Sequence, residues 1–319
     1  MTFWFLKSSF YYYNICYNFK IMLKLIVNYS ERIDKYITNN SSITRNDIQE
    51  LIKEGAVFVN GTKINKNKFV VKENDEIKVV KVIDKQINVE EQKIELDIIY
   101  ENEDYLVINK PSGLVVHPAP GHHDNTLVNG LMYHFKNNLS NVNGLLRMGV
   151  VHRIDKDTSG LLIIAKNNST HNYFASLLKE HKIDRTYLAI VDGKIANKKI
   201  HIDLPIGRDI KNRQKYAVTE QNSKNAYTMV EVIKYLKIDN KDKTLVKCNL
   251  KTGRTHQIRV HLNYIKHPVY GDPIYNKKVD EFNQRLHAVS LDFTDNKGNK
   301  VHFEAPIPEI MLREIEQFK

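Results

Sequence analysis

Three polar segments carry the side chains best suited to chemistry. The densest, VVHRIDKDTSGLLIIAK at 150–166, sets Asp155 and Asp157 among Arg153 and Lys156 between two apolar runs. Its order reads as strand, polar loop, strand, and a loop at the end of a core strand holds side chains firmly while leaving them open to substrate. An aspartate carboxylate so placed can act as a nucleophile or as an electrostatic partner, and the competing reading is a structural ion pair in a turn. The second segment, 184–193, alternates like a strand ending at a turn, with Arg185, Tyr187, Ala189 and Val191 on one face. Tyr187 would offer a nucleobase a ring and a phenol, although a strand tyrosine more often packs in a core or at an edge. In the third, 250–262, Thr255 is the expected cap of a helix spanning 255–265 whose Ile258, Leu262 and Ile265 face inward. His256 and Arg259 then share its positive N-terminal end, which attracts carboxylates and phosphates.

Metal chemistry finds little support. His256 and His261 stand five apart, which misses the i, i+4 spacing of a helical zinc pair. His117, His122 and His123 sit in a loop rich in Pro and Gly, where solvent-facing imidazoles are expected. Cys16 and Cys248 can build neither a ligand quartet nor a disulfide framework, so no metal is expected and the cytoplasm is the expected compartment. No run reaches transmembrane length without a charge, and no membrane partner is expected.

The elements that must position these segments follow from periodicity. Strand-like runs occur at 106–109, 160–166, 186–191, 227–233 and 244–250, and a second helical pattern at 169–181. Hairpin-length turns rather than regular crossover helices separate the strands, which predicts an α+β fold with a largely antiparallel sheet flanked by helices over 94–319. Residues 83–93 are polar without a firm period and read as a linker. Ahead of it, 30–82 reads as a small unit of two short helices followed by strands. There Thr44 caps a helix with Ile48, Leu51 and Ile52 on one face, Gly55 stops it, and Asn60-Gly61 marks a hairpin between 57–59 and 62–64. Lys63, Lys66, Lys68 and Lys72 follow without an intervening acid, either as a solvated face or as a binding surface.

Composition bounds the partner. The 319 residues, 42% hydrophobic and 27% charged with a net charge of +11, describe a folded basic protein and exclude a disordered chain. Such an excess points to a polyanion, for which charge alone supplies steering and weak binding. Only 11 of the 48 basic residues are Arg. With abundant Asn, Ile and Tyr this looks like an AT-rich coding bias, under which a position needing only positive charge can become Lys, so Arg153, Arg185, Arg254 and Arg259 are expected at positions that need a planar fork.

Together these segments closely resemble the RluA/RluD family of RNA pseudouridine synthases, from about residue 30 to the end. The matches are HRIDKDTSGL from His152, RTYLAIVDG from Arg185 and TGRTHQIRVH from Thr252, with NKPSGLVVHP from Asn109, HPVYGDP from His267 and LHAVSLDF from Leu286 in support. RIDKYI from Arg32 and EGAVFVNG from Glu54 resemble an alpha-L RNA-binding domain. The resemblance implies a pseudouridine synthase fold with Asp155 as catalytic aspartate, Tyr187 as active-site tyrosine and Arg259 as the aspartate's partner. Arg153 would fill the space of a flipped-out uridine, and Lys156, Arg185, Arg254, His256, Lys63, Lys66 and Lys68 would bind RNA. Ile154 stands where Leu is commoner, a change that conserves volume. The implied reaction breaks the N1 glycosidic bond of uridine and rejoins uracil through C5, with no cofactor. Asp155 could attack the ribose or assist proton abstraction from it, and both routes stay open. HPAPG and the intact DKDT favour the rRNA synthase D branch, hence 23S rRNA or a precursor ribosomal particle as partner of a monomeric enzyme. tRNA is the alternative substrate, and a non-catalytic ribosome-assembly factor the alternative of another class, which predicts loss of Asp155 or Tyr187.

Residues 1–21 stand apart. Nine of the 30 aromatics fall there, together with the one Trp, and no targeting pattern fits. They read as an extension foreign to the working protein, with Met22 as the expected start.

Overall fold

Turn chemistry and alternation build the first unit, which lies within residues 1–86. The computed structural model describes residues 23–41, 43–80, 89–118, 124–136, 138–212 and 215–316. The proposed start at Met22 and the segment before it lie outside these residues. Strands β1 (Leu23–Ile26) and β2 (Glu31–Arg32) precede helices α1 (Ile33–Asn39) and α2 (Arg45–Lys53), which are followed by β3 (Val57–Val59), β4 (Thr62–Lys63), β5 (Val70–Val71) and β6 (Glu76–Val79). Asn60 and Gly61 take positive φ values of 49° and 78°, as a two-residue hairpin turn requires, so β3 folds back on β4. The Thr44 side chain accepts from the Asp47 N–H to cap α2, which buries Ile48, Leu51 and Ile52. Strand order in the sheet is β1-β6-β3-β4. Asp34, fully buried, accepts from Arg32, Arg45 and Gln49. Burial works against its charge, yet these donors hold its pKa below the ordinary aspartate value.

The second unit, within residues 87–319, is built on strands β7 (Ile98–Glu101), β8 (Tyr105–Lys110), β9 (Ser159–Ala165), β10 (Asp184–Asp192), β11 (Lys199–Asp203), β12 (Ile206–Arg208), β13 (Tyr216–Val218), β14 (Tyr227–Ile238), β15 (Lys241–Leu250), β16 (Leu286–Thr294) and β17 (Lys300–Glu304). Its helices are α3 (Leu127–Phe135), α4 (Asn168–Lys179), α5 (Gln257–Tyr264) and α6 (Glu309–Glu316). The main sheet runs β11-β14-β15-β10-β16-β9-β8-β7, with β17 also on β16, and β12 pairs with β13 apart from it. All the pairings of the main sheet are antiparallel except β16 with β9. The expected α+β fold with a largely antiparallel mixed sheet is thus present.

Alternation along β8 and β9 feeds both faces of this sheet. Leu106, Ile108, Leu162 and Ile164 enter one core with residues of α3 and α5, whereas Tyr105, Val107, Leu161 and Ile163 enter another with Phe174 and Leu177 of α4. Gly160 makes the parallel step possible. Its φ is +109°, and a Cβ there would lie 2.2 Å from the Ala288 carbonyl oxygen, so any side chain would drive β9 and β16 apart.

Three expectations change. The strand foreseen before the polar loop is a single bridge, Val150 to Ile164. The helix foreseen over 255–265 begins at Gln257, with His256 in the left-handed conformation at its N-cap and no capping side chain, because Gln257 instead turns its own amide oxygen onto the Arg254 N–H. Of the stretch read as a linker, residues 89–93 are attached to the second unit: Val89 lies in its core, and the Glu90 carbonyl accepts from Asn129 of α3. No helix among the described residues is long and apolar enough to cross a membrane.

Candidate active site

The polar loop between Val150 and β9 is held by its backbone, which leaves its side chains to project. Ile154 is buried in the core. Lys110, at the end of β8 and itself buried, donates from Nζ to the carbonyls of Pro111 (2.6 Å), Leu114 (2.9 Å) and Lys156 (2.8 Å). Burial pushes its pKa down to about 7, against the pull of Asp157 and Asp155. Ser112 Oγ donates to the Asp157 carbonyl, and the Thr158 N–H to that of Asp155. His152 Nε2 accepts from the Ile163 N–H at 3.1 Å. Burial, helped by nearby Arg185, lowers the pKa of that imidazole to about 3 and keeps it a neutral acceptor.

On this rigid loop Asp155 meets Arg259, which projects from α5. Arg259 Nη1 donates to Asp155 Oδ2 at 2.8 Å, while its Nε and Nη2 donate side-on to Asp272 Oδ2 and Oδ1 at 2.7 and 2.9 Å. Asp272 is wholly buried and also accepts the Ile274 and Tyr275 N–H groups. Burial opposes the charge on Arg259, but the hydrogen bonds and charges of Asp272 and Asp155 prevail and raise its pKa. The guanidinium also lies over the Tyr275 ring, 5.1 Å from its centroid. The Tyr275 hydroxyl accepts from the Tyr216 N–H at 2.8 Å and stands 2.9 Å from His256 Nδ1. Burial pushes that phenol up to about 12 and keeps it protonated. His256 Nε2 lies 4.0 Å from Asp155 Oδ1, beyond hydrogen-bond reach, so that oxygen is left open toward the cleft.

Tyr187 comes from β10, which runs in unbroken register with β15; on its other side Thr186 faces Ser290 and Tyr187 faces Ala288, so the bulged residue is Val289 of β16. It is buried, and burial raises its pKa, with Asp155 adding to the shift and Arg185 opposing it. Asp155, Tyr187, Arg259, Arg185, Arg254 and His256 all line one cleft of about 550 Å³, a size suited to a small ligand or a single nucleotide.

Arg153 is exposed and donates from Nη1 to His117 Nε2 at 3.1 Å. His117 is not solvent-facing as expected: it is buried behind Arg153, and burial, with Arg153 and Arg147 nearby, brings its pKa to about 4. His122 and His123 lie outside the described residues. Lys156 is exposed, Arg254 donates to the Asn225 carbonyl, and Arg185 is buried in the cleft wall rather than displayed on a surface. His261 uses Nδ1 on Thr228 and Nε2 on the Leu204 carbonyl, both interior contacts. Lys63, Lys66 and Lys68 are exposed on the first unit. Sequence reasoning passed over Asp272 and Tyr275; the one signal for the former was the GDP turn within HPVYGDP, and none pointed to the latter.

Comparison with known proteins gives a consistent picture. The family model described as RNA pseudouridylate synthase matches residues 104–264, and the S4 domain model matches residues 31–77. An uncharacterized RNA pseudouridine synthase of Bacillus subtilis is 46% identical over 91% of this chain and 95% of its own length. Ribosomal large subunit pseudouridine synthase D of Zymomonas mobilis is 40% identical over 88% of this chain and 91% of its own. Among solved structures, human RNA pseudouridylate synthase domain containing 1 superposes with a TM-score of 0.57 at 27% identity, covering 67% of this chain and 84% of that one.

Proposed function

The chain belongs to the RNA pseudouridine synthase family, and from that premise we propose that it converts uridines of large-subunit ribosomal RNA to pseudouridine with Asp155 as the reacting carboxylate. The observation that carries the reading is the Asp155–Arg259–Asp272 chain opening into the cleft beside Tyr187. Isomerisation breaks N1–C1′, forms C5–C1′, takes a proton from C5 and returns one to N1. Arg259 holds Oδ2 of Asp155, which leaves Oδ1 to act on the ribose, by attack at C1′ or by proton abstraction. Uracil stays in the cleft against Tyr187 while it turns. A paired uridine is out of reach, so the base leaves its stack, and exposed Arg153 fills the gap. Arg254 and His256 line the cleft through which the RNA would enter, and exposed Lys156 stands next to Asp155 on the same loop.

The choice of ribosomal over transfer RNA is supported by the relatives that bear the large-subunit name and by the S4 domain, whose exposed Lys63, Lys66 and Lys68 extend the footprint on folded RNA. The deciding experiment treats rRNA and tRNA transcripts with the pure protein and maps pseudouridine by carbodiimide labelling and primer extension. Stops on 23S transcripts alone are expected. Stops on tRNA alone would assign the other substrate, and none on either would leave an RNA-binding factor.

Two variants test the parts. Tyr187→Phe keeps the ring and removes the hydroxyl, so RNA binding should persist while turnover falls roughly a hundredfold or more, the usual worth of a positioned proton-transfer group; Tyr187→Leu should lose both. Equal turnover of the Phe variant and the parent would remove the phenol from the chemistry. Changing Lys63, Lys66 and Lys68 together to Gln should weaken binding to folded rRNA and flatten the plot of log affinity against log salt by about 2, since each phosphate contact releases counterions. An unchanged slope would give these lysines another purpose.

A further inference from the structure

We propose that Arg185 is the receptor for one backbone phosphodiester of the RNA, that of the target uridine or its immediate neighbour. This rests on the reading that the cleft takes RNA, and goes beyond it by naming the group that a single side chain holds.

Arg185 is only 8% exposed, yet it lines the cleft. Its Nε is buried without a hydrogen-bond partner, and among the described residues no acceptor or carboxylate engages the guanidinium. The other arginines of the cleft are all occupied: Arg259 by Asp155 and Asp272, Arg254 by the Asn225 carbonyl, Arg153 by His117. A buried cation lacking any counter-charge is costly, and it persists where a ligand supplies the missing anion. Asp155 already satisfies Arg259, so the wall formed by Arg185, Arg254 and Lys179 carries a net positive charge and favours a phosphate over a neutral group.

Two further features fit a phosphodiester. Arg185 and Tyr187 lie two residues apart on one face of β10, roughly 6.6 Å at the usual strand rise, a span that one nucleotide bridges between its base and its phosphate. Gly253, from the motif that carries Arg254, backs directly onto the fork: a Cβ there would lie 2.8 Å from Arg185 Nη1. The glycine thus gives the guanidinium the room to stand where it does.

The test uses the full-length protein and a fluorescein-labelled RNA hairpin with a single loop uridine, made with the phosphate on either side of that uridine replaced in turn by a neutral methylphosphonate. Binding is read by anisotropy, and folding by thermal melting. Parent affinity should fall about tenfold or more for one of the two replacements, the worth of a charge-assisted hydrogen bond. Arg185→Gln should bind the native hairpin that much more weakly and be indifferent to the same replacement. Gly253→Ala keeps the cation but displaces its Nη1 end, so it should show an intermediate loss, and it carries the test if the Gln variant does not fold. A parent indifferent to both replacements, or a variant as sensitive as the parent, overturns the proposal. The binding cycle needs no turnover, so it can succeed where pseudouridine mapping fails, and the two readings fail separately.

Discussion

Asp155→Asn is expected to lower pseudouridine formation by at least about a thousandfold, some 4 kcal/mol of barrier, while RNA affinity stays within about twofold of the parent. The amide is nearly isosteric, and its oxygen can still accept from Arg259 Nη1. What it lacks is the charge and basicity that an attacking or proton-accepting oxygen needs. The fold should tolerate the change. Arg259 keeps its side-on pair with Asp272, and the loop backbone is fixed by Lys110, Ser112 and Thr158 rather than by the Asp155 carboxylate. Tritium release from C5-labelled RNA gives the rate, and residual turnover within tenfold of the parent would sink the assignment. Asp157→Asn in the same loop should be milder, because the Asp157 contact that holds the loop is its carbonyl, accepting from Ser112.

Much of this site is legible in the sequence, for a definite reason. Asp155, Tyr187 and Arg259 each lie in a polar interruption of an apolar pattern, and such interruptions survive only where the backbone is satisfied and the side chain is left over. The flanking strands β8, β9, β10 and β15 were readable because both their faces or one face are apolar in alternation. β11, KIHID, and β17, KVHFE, are largely exposed and were not, since nothing buried enforces their period. Asp272 was hidden differently. It stands thirteen residues beyond Arg259, past the end of α5, and meets it only because the turn after Tyr270 folds back, a contact that local periodicity does not encode. His117 misled for a related reason: Pro and Gly neighbours mark a loop, but they do not say that the loop closes over its own imidazole.

That hidden aspartate separates holding the site from using it. Asp272→Ala leaves Arg259, 3% exposed, with two of its donors unmet inside the protein, and also strips the Ile274 and Tyr275 N–H groups of their acceptor. Breaking a buried pair in this way costs about 3–5 kcal/mol, which for a unit of this size lowers the melting temperature by roughly 6–20 °C. Activity should fall as well, since the side-on pair with Asp272 sets the direction in which Arg259 Nη1 faces Asp155. Asp155→Ala makes the contrast: its side chain is 18% exposed against 0% for Asp272, and water can replace its half of the interaction. It should therefore abolish turnover with a melting temperature within about 3 °C of the parent, the shift that about 1 kcal/mol produces. Asp272→Asn restores an acceptor for the two N–H groups without the charge, and should fall between the Ala variant and the parent in stability. The two alanine variants, melted side by side by circular dichroism, decide the division of labour. Should Asp155→Ala prove the less stable of the pair, the anchor of Arg259 would be Asp155, and Asp272 would have to be reassigned to the reaction.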